Sequence, residues 1–516
     1  MSIQTLVVAM AGGLLLGLGT VFFSLWALSL LSFMCVLYIL HHTIYYKERF
    51  FGLLILGGIG YAFSFYGLYW ETLPLDWLSA SNVTVIGMVL SAWLFSVVVF
   101  AACFAFFLSI TKSFLTGRWI DSFFVAAVYV IVDIVGMFFY SLLFYGANAQ
   151  FGAHFSMGSP AYQLAESPLL LQAAALGGLP ALVFLQALIG CLWYYFFRYI
   201  QQYKYQVIIS TVVIVFVSLL STISLPFNGR QGDTTVSVAV ASLYGVGDKY
   251  ENGFRSKLQI ILSSLPSSIN IIALPEDSRF IQSLTVDEHR LLQKRFTDAY
   301  ILDSGAIPSE EGLIPEINYY STQNGSYATS SKEYLMVFGE YVPYLYVFIA
   351  HLVDQSDMVT TLKTNHGYVT NSSELFLYKG ISMSVKLCSD AMSPWLYAQE
   401  VNKGATVLFN LASHGWFHRS EIIYELAKRV GKVRAVESGR WYVRPAYETP
   451  ALVINDRGVV IAESKWLDDT ALVVDVPVLK HQTFYVKLRP LVVLVPLLII
   501  LCYVYQRYRA RIVASH

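Results

Sequence analysis

The chain has 516 residues, of which 56% are hydrophobic, 15% aromatic and only 13% charged, and its formal net charge is zero. A soluble globular protein carries about 25% charged residues, so this composition argues against a protein that is soluble throughout. The balanced charge offers no basic surface for nucleic acid, and we expect no nucleic-acid partner. Apolar residues fill roughly residues 3–226 and return near 490–506, with a mixed-polarity segment between them.

Apolar windows of about 20 residues, the length that crosses a bilayer, predict a seven-helix transmembrane bundle in residues 1–226. The predicted spans lie near residues 5–22, 24–41, 50–70, 84–110, 119–144, 169–197 and 206–225. An eighth span, near 490–506, belongs to a C-terminal segment, 488–516, that ends in a basic tail. The first window lacks a basic leader and runs directly into the second, so we interpret it as a retained helix and not as a signal peptide.

The positions of Lys and Arg predict the orientation of this bundle. Every second loop is basic, and so is the tail: Lys47, Arg49, Lys112, Arg118, Arg198, Lys204, Arg507, Arg509 and Arg511. The intervening short loops are acidic, and Lys487 and Arg489 are exceptions to the pattern. Because basic loops stay in the cytoplasm, we expect both termini to be cytoplasmic and the segment 227–487 to lie outside the cytoplasm.

Glycines and one acid interrupt the apolar windows. The glycine-rich runs Gly12–Gly19 and Gly57–Gly60 lie inside predicted helices, where small residues allow close helix packing, so we favour packing over nucleotide-binding loops. Asp133 lies within a predicted span. An ionisable group in a membrane is costly and usually faces a partner or a cavity, so Asp133 either lines a polar pocket or lies near a helix end.

The segment 227–487 has the pattern of a layered α/β domain. Short β-rich runs begin near residues 234, 268, 299, 382, 405, 451 and 470, and the pair A-L-V-I-N-D and G-V-V-I-A-E predicts a hairpin. Amphipathic stretches near 250–264, 285–298, 393–402 and 419–430 predict helices between the strands. Strands that alternate with helices favour this architecture over a β-sandwich.

Cys388 is the only cysteine outside the predicted spans, which contain Cys35, Cys103, Cys191 and Cys502. A lone cysteine is either a small buried hydrophobe or a nucleophile that needs a base and an oxyanion donor. Two residues at the ends of apolar runs, Glu276 and Glu340, and the nearby Lys332 supply such groups. Because strand ends converge at a sheet edge, we expect these side chains to meet Cys388 there.

The chemistry that needs a thiol, a carboxylate and an ammonium together is acyl transfer through a thioester. In this interpretation Glu276 removes the thiol proton, which as general-base catalysis is worth about 100- to 10,000-fold. Cys388 attacks the carbonyl, and Lys332 stabilises the oxyanion, a contribution of about 100- to 1,000-fold. We also expect the lysine to lower the thiol pKa, and Glu340 to pair with Lys332.

The order Glu–Lys–Cys resembles that of the nitrilase superfamily of carbon–nitrogen hydrolases, whose fold is an α-β-β-α sandwich. With the flanking helices, the chain resembles the bacterial apolipoprotein N-acyltransferase family. The motifs are A-L-P-E at 273–276, K-E-Y-L-M-V-F-G-E-Y-V-P at 332–343, L-C-S-D at 387–390, G-W-F at 415–417, R-A-V-E-S-G-R at 434–440 and T-F-Y at 483–485.

This resemblance implies that Glu276, Lys332 and Cys388 are catalytic, with Glu340 as a supporting acid. It implies a phospholipid acyl donor, a lipoprotein acceptor with an N-terminal diacylglyceryl-cysteine, and the bacterial cytoplasmic membrane as the location. The sequence departs from the family pattern in four places: Ala241-Ser242-Leu243-Tyr244 stands where the family has Val-Gln-Gly-Asn, Val337 stands where it has a proline, and the other two lie beside the site. Ser389-Asp390 replaces the usual Tyr-Glu, and residues 412–418, Ala-Ser-His-Gly-Trp-Phe-His, replace Ser-Asn-Asp-Ala-Trp-Phe-Gly. We expect these changes to alter substrate fit more than the chemistry.

We assign a set of residues to the substrate pocket or a lid: Ser389, Asp390, Tyr341, Trp416, Phe417, Tyr344 and Phe348. The last two belong to the apolar run Y-L-Y-V-F-I-A-H-L-V that follows Pro343. Such a run is either buried core, an oligomer interface, or an interfacial arm that lies among lipid tails and controls access. Beside a membrane-anchored site, we favour the arm.

Two other functions remain as alternatives. A membrane-tethered amidase or hydrolase would use the same three groups with water as the second substrate, and a catalytically impaired relative would act as a scaffold. No G-x-S-x-G motif supports a serine hydrolase, and His41-His42 lacks further ligands at zinc spacing. We therefore expect no metal and no cofactor, and a monomer in the bilayer.

Overall fold

The computed structural model describes residues 1–75, 81–199, 232, 234–245, 252–310, 312–366, 368 and 375–515. The span predicted near 206–225 lies outside these residues. The helices before residue 200 are α1 (Ile3–Val21), α2 (Ser32–His42), α3 (Tyr46–Ser64), α4 (Tyr66–Trp70), α5 (Asn82–Thr111), α6 (Asp121–Leu143), α7 (Pro168–Leu171) and α8 (Ala174–Arg198). A 3₁₀ segment, Phe23–Leu31, leads into α2, and another covers Pro160–Glu166.

Five helices in the described part of the chain are long and apolar enough to cross a membrane. They are Ile3–Val21, Phe23–His42, Asn82–Thr111, Asp121–Leu143 and Ala174–Arg198. Each coincides with a predicted span, so a helical membrane region at the N-terminal side is confirmed. The span predicted near 50–70 corresponds to α3 and α4, and the first turn of α3 contains three charged residues, Lys47, Glu48 and Arg49.

Close packing explains the glycines of the predicted spans. A Cβ on Gly13 would lie 2.6 Å from Ile59 Cβ, and one on Gly17 would lie 2.8 Å from the Gly60 carbonyl oxygen. Side chains at these positions would push α1 and α3 apart, so the packing interpretation is confirmed. Asp133 lies in the middle of α6 and is buried, so the helix-end alternative is wrong.

The basic loops meet at one end of the bundle. Lys112 Nζ donates to the His41 carbonyl over 3.2 Å, and Arg49 Nε donates to the Ser109 carbonyl over 3.0 Å. The C-terminal helix joins them, since Arg507 Nη2 donates to the Leu115 carbonyl over 3.3 Å. The α/β domain contacts the other end of the bundle, where Arg429 Nη1 donates to the carbonyl of Gly19 near the end of α1.

The α/β domain contains thirteen strands in the described residues. They are β1 (Thr235–Leu243), β2 (Ile271–Ala273), β3 (Tyr300–Pro308), β4 (Leu313–Ser321), β5 (Tyr327–Ser331), β6 (Phe376–Tyr378), β7 (Ile381–Leu387), β8 (Val407–Ser413), β9 (Tyr442–Arg444), β10 (Ala446–Tyr447), β11 (Leu452–Ile454), β12 (Val460–Glu463) and β13 (Thr470–Pro477). The predicted hairpin is β11–β12.

The strands form two sheets joined at β10. The first sheet has the order β13-β1-β2-β3-β4-β5, in which β1, β2 and β3 are parallel. The second has the order β6-β7-β8-β9-β11-β12, with β7, β8 and β9 parallel. The short strand β10 pairs with both β1 and β8, which connects the sheets at one edge.

The remaining helices cover the outer faces of these sheets or extend from them. They are α9 (Asn252–Ser264), α10 (Phe280–Ser283), α11 (Val286–Arg295), α12 (Tyr344–Leu352), α13 (Ser356–His366), α14 (Leu396–Lys403), α15 (Glu421–Ser438), α16 (Phe484–Val492) and α17 (Leu494–Ser515). The helix predicted near 419–430 corresponds to α15. It is longer than predicted, because its apolar face continues to pack beyond residue 430.

Alternating side chains create the layers of the domain. Val238 of the first sheet and Val385 and Phe409 of the second share one buried cluster between the sheets. The opposite face of the first sheet packs on α9 and α11, and that of the second packs on α14 and α15. Because successive side chains of a strand point to opposite faces, each sheet is covered on both sides. The predicted α-β-β-α sandwich is therefore confirmed.

Candidate active site

Two of the candidate residues follow directly on strand ends, and a third lies three residues beyond one, as the sequence predicts. Lys332 comes immediately after β5, Cys388 immediately after β7, and Glu276 three residues after β2. Cys388 has a φ of +29°, a value that costs energy for a residue with a Cβ. The strained turn ends the strand abruptly and starts a 3₁₀ turn, Cys388–Met392, so the thiol projects beyond the sheet edge.

Lys332 is the centre of a buried ion cluster. Its Nζ lies 2.6 Å from Glu340 Oε1 and 3.3 Å from Glu276 Oε1. Its side chain is only 2% exposed, so both carboxylates act on it with little screening by water. The other oxygen of Glu340 accepts a hydrogen bond from the backbone N–H of Met336 over 2.6 Å, which fixes the direction of this carboxylate.

The ion cluster determines the charge of the lysine. Burial alone lowers the pKa of Lys332, but the nearby carboxylates of Glu276 and Glu340 more than offset it, so the pKa is raised well above its usual range. The ammonium therefore stays protonated at any physiological pH. A permanently charged ammonium beside the thiol suits the stabilisation of an oxyanion.

The thiol of Cys388 is more basic than the sequence suggests. Burial and the negative charge of Glu276 raise its pKa to about 12, although Lys332 acts in the opposite direction. The Sγ atom donates to the carbonyl oxygen of Ser413 over 3.7 Å. Lys332 lowers the thiol pKa, as expected, but desolvation and the charge of Glu276 raise it by more, so the pKa of Cys388 lies above its usual value. Nucleophilic attack then requires a base that removes the proton.

Ser389 and Asp390 form hydrogen bonds to backbone groups beside the ion cluster. Asp390 Oδ1 accepts from the backbone N–H of Tyr334 over 2.8 Å, and its Oδ2 accepts from that of Leu387 over 3.1 Å. Ser389 Oγ donates to the Tyr334 carbonyl over 2.8 Å. These bonds tie the segment after Lys332 to the end of β7. Neither residue is among those that line the cavity described below.

A second buried charge network lies behind the first. Lys386, 1% exposed, has its Nζ 2.5 Å from Glu333 Oε1 and 3.7 Å from Glu400 Oε2. Lys386 belongs to β7 and Glu333 follows Lys332, so this network joins the same two segments as Asp390. The sequence contains a signal for it that we did not use: a lysine interrupts the otherwise apolar end of β7.

The three candidate catalytic groups open into one cavity that lies between the α/β domain and the helix bundle. The cavity encloses about 1120 Å³ of empty space, including its open mouth, and Glu276, Lys332, Glu340 and Cys388 line it. The bundle contributes Leu68, Tyr69, Thr72, Leu75, Met88, Val89, Ala92 and Met157. From the domain come Met336, Val337, Phe338, Gly339, Met392, Ser413, His414, Trp416, Phe417 and Ile423. Its walls are predominantly apolar.

The other predicted pocket residues divide into two groups. Trp416 and Phe417 line the cavity. Tyr341 is half-buried and is not among the lining residues, whereas Tyr344 and Phe348 are exposed at 55% and 60%. The last two lie on α12, whose opposite face packs on the bundle: the hydroxyls of Tyr346 and Ser91 on α5 lie 2.9 Å apart.

The sequence analysis missed the lining residues of the bundle. No local pattern distinguishes an apolar residue that faces a cavity from one that faces lipid or another helix. His414 was noted as a departure from the family pattern, but it was not assigned to the pocket. Its imidazole is 5% exposed and lies beside the guanidinium of Arg444.

This chain is similar in sequence to one group of known proteins and aligns in fold with another. No family model matches this chain. The chain is 28% identical over 203 residues to the apolipoprotein N-acyltransferase of Rhizobium etli (strain CIAT 652), covering 37% of each protein. It is 25% identical over 179 residues to that of Neisseria meningitidis serogroup B (strain ATCC BAA-335 / MC58), covering 34% of each. The alignments thus span little more than a third of these relatives.

Solved structures of carbon–nitrogen hydrolases also align with the chain. One from Helicobacter pylori G27 aligns with a TM-score of 0.36 and 11% identity, over 47% of this chain and 89% of that one. XC1258 from Xanthomonas campestris aligns with a TM-score of 0.35 and 14% identity, over 50% and 96%. The motifs predicted a resemblance to the apolipoprotein N-acyltransferase family. Sequence similarity to proteins of that name, over about a third of the chain, confirms the resemblance.

Proposed function

We propose that this protein transfers a fatty acyl chain from a phospholipid to the N-terminal amine of a diacylglyceryl-cysteine lipoprotein, through a thioester on Cys388. The observation that carries the proposal is the shared cavity, in which Glu276, Lys332 and Cys388 lie beneath apolar walls contributed by membrane-associated helices. An acyl chain needs such walls, whereas a small polar amide does not.

In the first step Glu276 removes the proton from the Cys388 thiol, and the sulfur attacks the ester carbonyl of the phospholipid. The tetrahedral oxyanion forms beside the Lys332 ammonium. The carbon–oxygen bond of the ester then breaks, and the leaving alkoxide takes the proton from Glu276. The products are the acyl thioester and a lysophospholipid. Because the thiol pKa is about 12, the base is indispensable at neutral pH.

In the second step the neutral amine of the acceptor attacks the thioester carbonyl. Glu276 takes a proton from the attacking nitrogen, Lys332 again stabilises the oxyanion, and the carbon–sulfur bond breaks. The departing thiolate recovers the proton from Glu276, which restores the starting site and leaves an amide. The cycle needs no metal and no cofactor.

Glu340 has a separate role in this scheme. It lies closer to Lys332 than Glu276 does, at 2.6 Å against 3.3 Å. The closer ion pair with Glu340 keeps the ammonium in place when Glu276 accepts a proton. Glu340 is thus a positioning residue.

The membrane setting supports a lipid donor. The exposed apolar face of α12, with Tyr344 and Phe348, lies next to the cavity wall formed by residues 336–340. On this proposal α12 is an interfacial arm that lies among lipid tails. The basic loops meet at the opposite end of the bundle, in keeping with cytoplasmic termini and a catalytic domain outside the cytoplasm.

The test is the detection of the thioester. The purified full-length protein is incubated with phospholipid in detergent, and its intact mass is measured before and after treatment with hydroxylamine. We expect a gain of one acyl mass that hydroxylamine removes and that Cys388→Ala lacks. A wild-type protein that gains no acyl mass would exclude the mechanism. Release of free fatty acid at the same rate with and without an amine acceptor would identify a hydrolase instead.

A further inference from the structure

Cations from separate segments converge at the end of the bundle that lies away from the α/β domain. Arg49, in the first turn of α3, donates from Nε to the carbonyl oxygen of Ser109 in the last turn of α5, over 3.0 Å. Lys112 follows α5 directly and donates from Nζ to the carbonyl oxygen of His41, in the last turn of α2, over 3.2 Å. Because residues three apart lie on the same face of a helix, Arg49 and Lys112 are neighbours at the end of α5.

A third cation, Arg198 at the end of α8, joins them through aromatic rings. Its Nη1 donates to the hydroxyl of Tyr194 over 2.6 Å. The ring of Tyr194 stacks on that of His41, with centroids 5.5 Å apart, and His41 is the residue whose carbonyl accepts from Lys112. We name Arg49, Lys112 and Arg198 the basic cluster.

The basic cluster has no anion in direct contact. None of its members forms a salt bridge with a carboxylate of the described residues, and the segment 200–231 contains no Asp or Glu. The neighbouring acid, Asp121, is already occupied by hydrogen bonds from the backbone of Thr116 and Gly117 and from the hydroxyls of Thr116, Tyr195 and Tyr503. Arg49 is only 6% exposed, and a buried charge without a counter-ion is costly.

The cluster lies at the depth of a lipid headgroup. Near the other end of α5, the hydroxyl of Ser91 lies 2.9 Å from that of Tyr346 in the α/β domain. Ser91 and Ser109 are about 27 Å apart along the helix axis, at 1.5 Å per residue, and the hydrocarbon core of a bilayer is about 30 Å thick. The cluster therefore lies at the leaflet opposite the α/β domain. Ile110 and Phe197 beside it, 41% and 60% exposed, are available to acyl chains.

We propose that the basic cluster binds the phosphate of an anionic phospholipid in the leaflet opposite the α/β domain. Guanidinium and ammonium groups form charge-assisted hydrogen bonds with phosphate oxygens, and basic pockets between membrane helices suit anionic headgroups. A zwitterionic headgroup fits less well, because its own cation finds no carboxylate among the described residues of the cluster. This lipid is distinct from the proposed acyl donor, since Cys388 lies at the other end of the bundle.

The experiment measures which lipid stays on the full-length protein. The protein is equilibrated in non-ionic detergent with equal amounts of phosphatidylglycerol and phosphatidylcholine of identical acyl chains, and native mass spectrometry identifies the bound lipids. We expect wild type to retain phosphatidylglycerol over phosphatidylcholine by at least about fivefold, the factor that one Lys or Arg contributes at an anionic lipid surface. Lys112→Gln and Arg198→Gln should each reduce this ratio about three- to fivefold, and the double variant should show no preference.

Arg118→Gln is the matched control. It removes one positive charge from the loop that follows α5, but Arg118 is exposed and lies outside the cluster, so we expect the lipid ratio of wild type. Thermal unfolding in phosphatidylcholine shows that each variant is folded, and added phosphatidylglycerol should then raise the Tm of wild type and of Arg118→Gln but not that of the double variant. Inorganic phosphate without lipid should leave the Tm of wild type unchanged.

The outcomes separate a defined site from general attraction to a basic surface. Equal losses in Arg118→Gln and Lys112→Gln, or an unchanged ratio in the double variant, would overturn the proposal. A Tm that inorganic phosphate alone raises in wild type but not in the double variant would assign the site to free phosphate and overturn its assignment to a lipid. Cys388→Ala should keep the preference for phosphatidylglycerol, so a wild-type protein that retains this lipid but gains no acyl mass would overturn the proposed function alone.

Discussion

Lys332 is held more closely by Glu340 than by Glu276, with Nζ–Oε1 distances of 2.6 Å and 3.3 Å. The difference separates two tasks that a single glutamate could not perform together. In the proposed mechanism, Glu340 fixes the ammonium, and Glu276 exchanges protons with the thiol and the substrates.

Removal of the positioning carboxylate should slow the chemistry without unfolding the protein. In Glu340→Gln we expect Lys332 to move towards Glu276, so that both the oxyanion donor and the base are misplaced. A displacement of about 1 Å can cost 100-fold in rate, and we expect a decrease of 10- to 100-fold in single-turnover acylation of Cys388. Glu340→Asp, which keeps the charge, should recover part of the rate. An unchanged rate in Glu340→Gln would contradict the assignment.

The raised pKa of Cys388 predicts its reactivity towards alkylating agents. Because only the thiolate reacts and the thiol pKa is about 12, alkylation by iodoacetamide should rise about tenfold per pH unit from pH 7 to 10. Peptide mass spectrometry measures the modification at Cys388 separately from the other cysteines. Glutathione in the same sample serves as the control, and its rate levels off above its own pKa. A plateau at Cys388 near pH 9 would disprove the raised pKa.

Glu276→Gln should affect alkylation and acyl transfer in opposite directions. The negative charge of Glu276 raises the thiol pKa, so its removal should lower that pKa and speed up alkylation at neutral pH. Acyl transfer from phospholipid should fall by about 100- to 10,000-fold, the usual loss with a general base. A variant in which both rates fall together would point to a damaged fold instead of a lost base.

Asp390 should contribute to stability in a pH-dependent way. Burial raises its pKa to about 7 from 3.8, so the folded state binds its proton more tightly than the unfolded state does. Its contribution is then greatest at low pH and declines as the pH rises from about 4 to about 7. Asp390→Asn places an amide N–H against the Leu387 N–H and should cost about 1–3 kcal/mol. We expect the loss in Tm to be larger at pH 5.5 than at pH 8, and an equal loss would contradict this.

The exposed face of α12 can be tested by a charge. Phe348→Glu should reduce acylation of Cys388 by phospholipid vesicles by about tenfold, because a carboxylate on this face weakens insertion among lipid tails. Acylation by 4-nitrophenyl palmitate in detergent should be unaffected. Val286→Glu is the matched control, since Val286 is similarly exposed, at 68%, on α11, which packs on the outer face of the first sheet. Equal effects of the two substitutions would exclude a specific arm.

Hydropathy and alternation were sufficient to predict much of the fold. The five apolar helices coincide with predicted spans, and the strands β1, β2, β3, β7 and β8 lie where β-rich runs were predicted. These features depend on side chains that are near each other in sequence, so they can be read without knowledge of the tertiary structure. The strands β4 and β5 were missed, because Pro315 and Glu316 interrupt the apolar residues of β4 and because β5 is short and mostly polar.

The local sequence was enough to select Glu276, Lys332, Glu340 and Cys388 as polar residues at or beside the ends of apolar runs. Only the tertiary structure decided which carboxylate holds the lysine, that burial raises the thiol pKa, and that Asp390 ties two segments together. It also brought Arg444 to His414 and the bundle to the cavity. Each of these depends on contacts between residues far apart in the chain and on the exclusion of water around them, which no single stretch of sequence encodes.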